Sequence, residues 1–201
     1  MDRAPVIDFH AHFLVRDVLE QCLPHAVATN RGHHQLPPHL FALFEKMMTP
    51  QGVIDTMDTL QIDMSVVSSA TVIEPTYWAE PAIALRLSQQ LNDTAAEWMA
   101  KLPKRLIGSF VLPLQDMDLA MKELKRSVDD LGLKVANLPA EVRGVYLGDT
   151  RFRPFWEAAE VRRSDFYAPR WCEGSVVLSM GDVELARTIA RRSEIHGVGH
   201  I

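Results

Sequence analysis

Cysteine is scarce in this sequence, and long uninterrupted apolar runs are absent. The 201 residues include only two cysteines, Cys22 and Cys172, which form neither a C-x-x-C motif nor a disulfide framework. No apolar run reaches the roughly 18 residues that a membrane span needs, and the charged N-terminus has no apolar signal-peptide core. These absences favour a cytoplasmic protein that is neither exported nor embedded in a membrane.

Positively charged residues are also fewer than negatively charged ones. Lysine and arginine total 21 against 26 aspartates and glutamates, which gives a formal net charge of −5 and a pI near 5.9. This balance argues against nucleic acid or an anionic membrane surface as a partner. Apolar residues make up 47% of the chain, enough for one globular domain with a core. A complete (β/α)₈ barrel takes about 250 residues, so the chain is too short to close one.

The first apolar stretch ends in two histidines and a carboxylate. Side chains alternate along a strand, so Asp8, His10 and His12 are expected on one face and the residues between them on the other. Neutral imidazoles one pleat apart can bind one Zn²⁺, Fe²⁺ or Mn²⁺ ion. The spacing alone leaves open that these are ordinary surface histidines.

Two motifs point to a known family. The run Asp8-Phe9-His10-Ala11-His12 resembles the D-x-H-x-H pattern that ends the first barrel strand in the amidohydrolase superfamily. A second run is similar to one that follows strand four in the branch named for aminocarboxymuconate semialdehyde decarboxylase, which also holds resorcylate decarboxylases and hydrolase-like members. That run reads Gly144-Val145-Tyr146-Leu147-Gly148-Asp149, then Phe152 and Pro154-Phe155-Trp156. The resemblance covers residues 5 to about 160.

The alternation of strands and helices agrees with this family. Short β-branched runs predict strands near 6–12, 64–70, 106–112 and 133–138, and 3.6-residue periodicity predicts helices from 50, 80, 116 and 153. The predicted fold is α/β, the N-terminal half of a metal-dependent-hydrolase TIM barrel with about four β/α units. We expect a partial barrel over residues 1–160 and an irregular, non-family tail over 161–201.

A long segment, residues 16–49, separates the first strand from the first barrel helix. Loops of this length after a barrel strand usually shape the substrate pocket, so we expect a pocket-loop insertion. It holds a histidine-rich patch at His33, His34 and His39, which is either a set of ligands or solvated loop histidines. Arg31 is a candidate clamp for a substrate carboxylate.

The family pattern stops after Glu160. Residues 161–174 contain three arginines and no strand periodicity, where the family has an apolar fifth strand ending in a histidine ligand. With plausible codons, the same bases read one position later encode FGVPIFMHPDGVR, an apolar strand that ends in His-Pro. We therefore hypothesise a change of reading frame after about residue 160. In the tail itself, apolar spacing predicts one helix from Val183 to Arg192.

The resemblance implies a mononuclear site built from the H-x-H pair, a histidine after strand five and an aspartate after strand eight. Only His10 and His12 are present in the matching positions. His196 and His200 in the tail are an alternative source of ligands, although the glycines between them favour a mobile segment. No residue is assigned as the catalytic acid or base.

Two functions follow as alternatives. The first is a metal-dependent carboxy-lyase or hydrolase that acts on a small aromatic or enol carboxylic acid, with a divalent ion, zinc first and manganese or iron next. The second is a truncated fragment without activity, which at most pairs with other chains through exposed strand edges; a homo-oligomer is left open.

Overall fold

The computed structural model describes residues 5–26, 38–71, 73–161 and 175–179. Five strands form the main sheet and two short ones form a hairpin. The strands are β1 Ile7–Phe13, β2 Met64–Ser69, β3 Leu106–Phe110, β4 Val135–Pro139, β5 Glu141–Val142, β6 Val145–Tyr146 and β7 Ser175–Ser179.

Six α-helices accompany these strands in the described part of the chain. They are α1 Arg16–Cys22, α2 Pro38–Met47, α3 Pro50–Thr59, α4 Pro81–Lys101, α5 Met117–Lys125 and α6 Arg153–Val161. Short 3₁₀ turns lie at Leu23–His25 and Thr150–Phe152, and a π-helical turn at Arg126–Asp130 extends α5. Asp116 caps α5 by accepting a hydrogen bond from the Leu119 amide at 3.0 Å.

The main sheet runs in the order β1-β2-β3-β4-β7. The first four strands are mutually parallel and follow chain order, because helices carry the chain back between them. This arrangement confirms the predicted N-terminal half of a TIM barrel. The division of the chain at residue 160 stays a prediction.

The tail supplies the fifth strand, which corrects the expectation of an irregular tail with no strand. β7 pairs antiparallel with β4, with Ala136 opposite Leu178 and Leu138 opposite Val176. The β-branched and leucine residues of β7 suit a sheet position, and β4 offers a free edge on that side. The helix expected from Val183 to Arg192 lies outside the described residues.

The core lies between the outer face of the sheet and its helices. Phe110, Leu124 and Leu133 are buried there, together with Leu87 and Leu91 from α4. α4 packs very close to β3 at Gly108, where an added Cβ would lie 2.8 Å from the Ala95 carbonyl oxygen and 2.9 Å from Leu133 Cδ2. Glycine is therefore required at that crossing.

The segment 16–49 is largely helical where the structure describes it, which differs from the expected loop. Val18, Leu19 and Cys22 are buried along one side of α1, at the spacing of a helical face. The Leu14 amide donates to the Met47 carbonyl at 3.0 Å, so the end of α2 lies against the exit of β1. Among the described residues, no helix is both long enough and apolar enough to cross a bilayer.

Candidate metal centre at the end of the first strand

His10 and His12 lie near the carboxyl end of β1, and both are half-buried. Their ring centroids are 4.7 Å apart, and the two ring planes meet at 78°. In barrels built from β/α units, the carboxyl ends of the strands carry the active site. The structure therefore brings the two predicted ligands together at the edge where chemistry is expected.

A β-bulge modifies the predicted alternation along β1. Asp8 pairs with Ser65 and Ala11 with Val67, so three residues of β1 advance while β2 advances by two. Because Ser65 and Val67 share a face of β2, Asp8 lies on the same side as Ala11. Both residues line a cavity of about 230 Å³ against α2 and α3, which His12 also borders. The expectation that Asp8 and Ala11 face opposite sides is therefore wrong.

His12 is positioned by the neighbouring strand. Its Nδ1–H donates to the Ser68 carbonyl oxygen at 3.3 Å, and the Ser68 hydroxyl lies 3.3 Å from the same nitrogen. Burial lowers the pKa of His12, and the adjacent His10 lowers it further, while the Ser68 carbonyl and Asp8 act in the opposite direction. A neutral ring with hydrogen on Nδ1 leaves the Nε2 lone pair available to a metal.

The two imidazoles fit a divalent metal, but they do not form a complete site. Within residues 5–26, 38–71, 73–161 and 175–179, no three His, Cys, Asp or Glu side chains are grouped to hold an ion. A catalytic mononuclear centre normally has at least three protein ligands. Further ligands would therefore have to come from outside the described residues.

The structure does not describe the side chains of the remaining candidates from the sequence. Arg31, His33 and His34 lie outside the described residues, as do His196 and His200. The backbone of His39 lies in α2. Their roles as ligands or as a carboxylate clamp stay predictions.

Glu74 is a buried carboxyl group that the sequence analysis did not single out. It lies in the loop after β2, is fully buried, and its Oε1 accepts a hydrogen bond from the Val15 amide at 2.8 Å. Burial raises the pKa of Glu74 to about 8, against the lowering effect of that hydrogen bond. The available signal was a lone acidic residue between Ile73 and Pro75, just after an apolar strand.

The loop that carries Glu74 is held by side chains from two other connections. Arg143 donates to the carbonyls of Tyr77, Trp78 and Ala79 at 2.9 to 3.3 Å. Gln115 donates to the carbonyls of Thr76 and Ala79, both at 3.1 Å. The loop is thus fixed against the rest of the strand-end edge.

Comparison with known proteins identifies the family. The family model described as Amidohydrolase matches residues 7–166, which is well over half of the chain. The chain belongs to the amidohydrolase family. Within this family, the D-x-H-x-H residues and the Gly144 to Trp156 run both lie in the matched region.

Two amidohydrolase relatives are decarboxylases by name. A 2-amino-3-carboxymuconate-6-semialdehyde decarboxylase from Dictyostelium discoideum is 33% identical over 122 residues, which cover 61% of this chain and 34% of the relative. A gamma-resorcylate decarboxylase from Rhodococcus jostii is 42% identical over 91 residues, which cover 41% of this chain and 27% of the relative.

A solved structure supports the same fold. A dihydroxybenzoic acid decarboxylase from Polaromonas sp., with bound manganese and the inhibitor 2-nitroresorcinol, matches with a TM-score of 0.64 at 24% identity. The match covers 85% of this chain and 51% of that structure. This amidohydrolase chain therefore spans about a third of the curated relatives it matches and about half of the solved structure.

Proposed function

We propose that this chain carries the metal-binding first half of a decarboxylase that acts on a small aromatic or enol carboxylic acid. The observation that supports this most directly is the histidine pair on β1, with its rings 4.7 Å apart at the strand-end edge. The names of the similar proteins favour decarboxylation over hydrolysis, since both curated relatives are decarboxylases.

In this proposal His10 and His12 supply two ligands of a divalent ion. Imidazole suits zinc, iron and manganese. Manganese in the similar Polaromonas structure makes it the first ion to test, ahead of the zinc expected from the sequence. The ion, when bound, supplies a Lewis acid that polarises a substrate oxygen.

In the proposed reaction, the residues of this chain hold the metal ion and orient its histidine ligands. Ser68 fixes the tautomer and the ring plane of His12 through the hydrogen bond to Nδ1, which directs Nε2 away from β2. Decarboxylation also needs an acid to protonate the carbon that loses carbon dioxide, and omission of such a group typically costs about 10²–10⁴-fold in rate. His10 and His12 are assigned to metal binding, which leaves that acid to be supplied from elsewhere.

A second candidate is that the chain alone has no activity. The incomplete ligand set in the described residues favours it. Two imidazoles on an open half-barrel hold an ion more weakly than a full, preorganised ligand set. On this view the chain binds metal weakly and releases it to a chelator.

One assay separates the two candidates. Carbon dioxide release from gamma-resorcylate is measured with Mn²⁺ for the chain as it stands and for a longer version in which the frame after Glu160 is shifted and continued. We expect no turnover above free Mn²⁺ from the first, and turnover that is lost on His12→Ala from the second. His25→Ala is a matched control, because it removes a histidine that is not a proposed ligand. The His25 ring stacks on the Trp78 ring, with the two centroids 3.7 Å apart.

Turnover by the 201-residue chain itself, lost on His12→Ala, would show that the tail or a second chain completes the site. Equal turnover of the longer version with and without His12 would contradict the proposed role of the histidine pair.

A further inference from the structure

Glu74 joins the loop after β2 to the exit of β1. Its Oε1 accepts from the Val15 amide at 2.8 Å, and Val15 follows His12 by three residues. The Glu74 amide in turn donates to the Ala70 carbonyl at 2.7 Å, directly after β2. Through its side chain and its backbone amide, Glu74 therefore links the segments that follow the two strands whose ends hold His12 and Ser68.

The other carboxyl oxygen of Glu74 has a different environment. Oε2 is buried and makes no hydrogen bond to any residue that the structure describes. Glu74 lines a cavity of about 10 Å³ with Asn137 of β4, whose Oδ1 is likewise buried without a hydrogen-bond partner in the described part. A space of this size admits about one water molecule, so an aromatic acid cannot reach Glu74 through it.

No positive charge among the described residues compensates an ionised Glu74. Where the structure describes the chain, Cys22 of α1 and Tyr77 of its own loop are the titratable groups beside it, and both become negative when they ionise. The rest of the cavity wall, from the ends of β3, β4 and the hairpin, is uncharged. A buried carboxylate with one amide donor and no cation is costly, whereas the neutral acid brings its own donor at Oε2.

We propose that Glu74 is a positioning residue that works as a neutral acid and holds the metal-binding end of β1 through the Val15 amide. Oε1 accepts the amide hydrogen, while the protonated Oε2 presents its hydrogen to the small cavity beside Asn137. Loss of the proton places an uncompensated charge under the strand ends and loosens the turn after His12.

The pH dependence follows from the burial of this acid. Its pKa rises from 4.5 in the unfolded chain to about 8 in the folded protein. Stability from this group is therefore complete below about pH 4.5 and decreases as the pH rises to about 8, by up to tenfold in the folding equilibrium constant per pH unit.

Glutamine at this position mimics the neutral acid, because its oxygen accepts and its nitrogen donates in the same places. The experiment compares the wild-type chain, Glu74→Gln and Glu74→Ala by urea unfolding from pH 5 to 9. We expect Glu74→Gln to remove the decrease in stability seen for the wild type, and to exceed the wild type at pH 9. Glu74→Ala loses the Val15 contact and is expected to be less stable than Glu74→Gln at every pH.

Glu123→Gln is a matched control. Glu123 is also buried, but it pairs with Arg126 at 2.8 Å, so the neutral substitute should weaken the fold at neutral pH. A Glu74→Gln variant that behaves like Glu123→Gln would overturn the proposal, because it would show that Glu74 acts as an anion. If Glu74→Ala does not fold, the comparison of Glu74→Gln with the wild type still decides whether Glu74 acts as a neutral acid.

Mn²⁺ titration of the same variants gives a second readout, which rests on the proposed function. We expect Glu74→Gln to bind Mn²⁺ as tightly as the wild type at pH 6.5 and more tightly at pH 9. Equal affinity of the two proteins at pH 9 would overturn the link to the metal site. Absence of Mn²⁺ binding by the wild type would contradict the proposed function, while the unfolding profile would still test the neutral acid.

Discussion

Two buried glutamates illustrate the contrast between the helical layer and the strand-end edge. Glu123 accepts hydrogen bonds from Asn92 at 2.7 Å and from two nitrogens of Arg126 at 2.8 and 2.9 Å. Within the described residues, Glu74 accepts one hydrogen bond, from the Val15 amide, and has no cation beside it. The first carboxylate is compensated by charge and hydrogen bonds, and the second is compensated by keeping its proton.

The difference follows the layout of a β/α sheet. Glu123 lies between α4 and α5, in the layer that covers the outer face, where complete pairing favours stability. Glu74 lies at the carboxyl ends of the strands, where barrel proteins place their chemistry. Perturbed ionisable groups are common at such edges, because function there takes precedence over pairing.

The largest expected effect is in the helical layer. Glu123→Ala leaves Arg126 and Asn92 without their buried acceptor, and loss of one partner of a buried pair costs roughly 3–5 kcal/mol. Because Arg126 is partly exposed, we expect about 3 kcal/mol in urea unfolding. A loss below about 1 kcal/mol would show that the pair behaves like a surface ion pair.

Gly108→Ala tests the packing of α4 on β3. The added methyl group lies closer than van der Waals contact to the Ala95 carbonyl, and overpacking of this kind costs about 1–3 kcal/mol. Ser109→Ala on the same strand is the matched control, since its buried hydroxyl has no hydrogen-bond partner in the described part of the chain. An equal loss of stability in thermal unfolding for the two variants would contradict the close approach of α4 to β3.

Helix caps should show the smallest effect, and it should be equal at two helices. Thr49 accepts from the Gly52 amide at 3.1 Å at the start of α3, and Asp116 accepts from the Leu119 amide at 3.0 Å at the start of α5. Replacement of either cap by alanine is expected to cost about 1 kcal/mol in urea unfolding. A much smaller loss at Thr49 would indicate that the segment beside β1 is already loosely held.

Local periodicity predicted most of the helical layer. The apolar spacing of α4 and α5 depends on near neighbours in the chain, so the periodicity of the sequence is enough to predict these two helices. The sequence does not predict the two helices within 16–49, because prolines and histidines interrupt their apolar residues.

The details of the site depended on contacts distant in sequence. The H-x-H spacing indicated His10 and His12, but the bulge that moves Asp8 arises from its pairing with β2, which alternation along one strand cannot reveal. The burial of Glu74 depends in the same way on Val15 and Asn137, which lie 59 and 63 positions away in the sequence.

The central claim is that His10 and His12 bind one divalent ion together. Isothermal titration with Mn²⁺ compares the wild type with His10→Ala, His12→Ala and the control His25→Ala. Loss of outer-shell support alone weakens metal binding by about 10–100-fold, so loss of a direct ligand should cost at least about tenfold. The account predicts one site in the wild type and in His25→Ala, readily stripped by a chelator, and a loss of at least about tenfold in each of the other two. Equal Mn²⁺ affinity in all four proteins would contradict it.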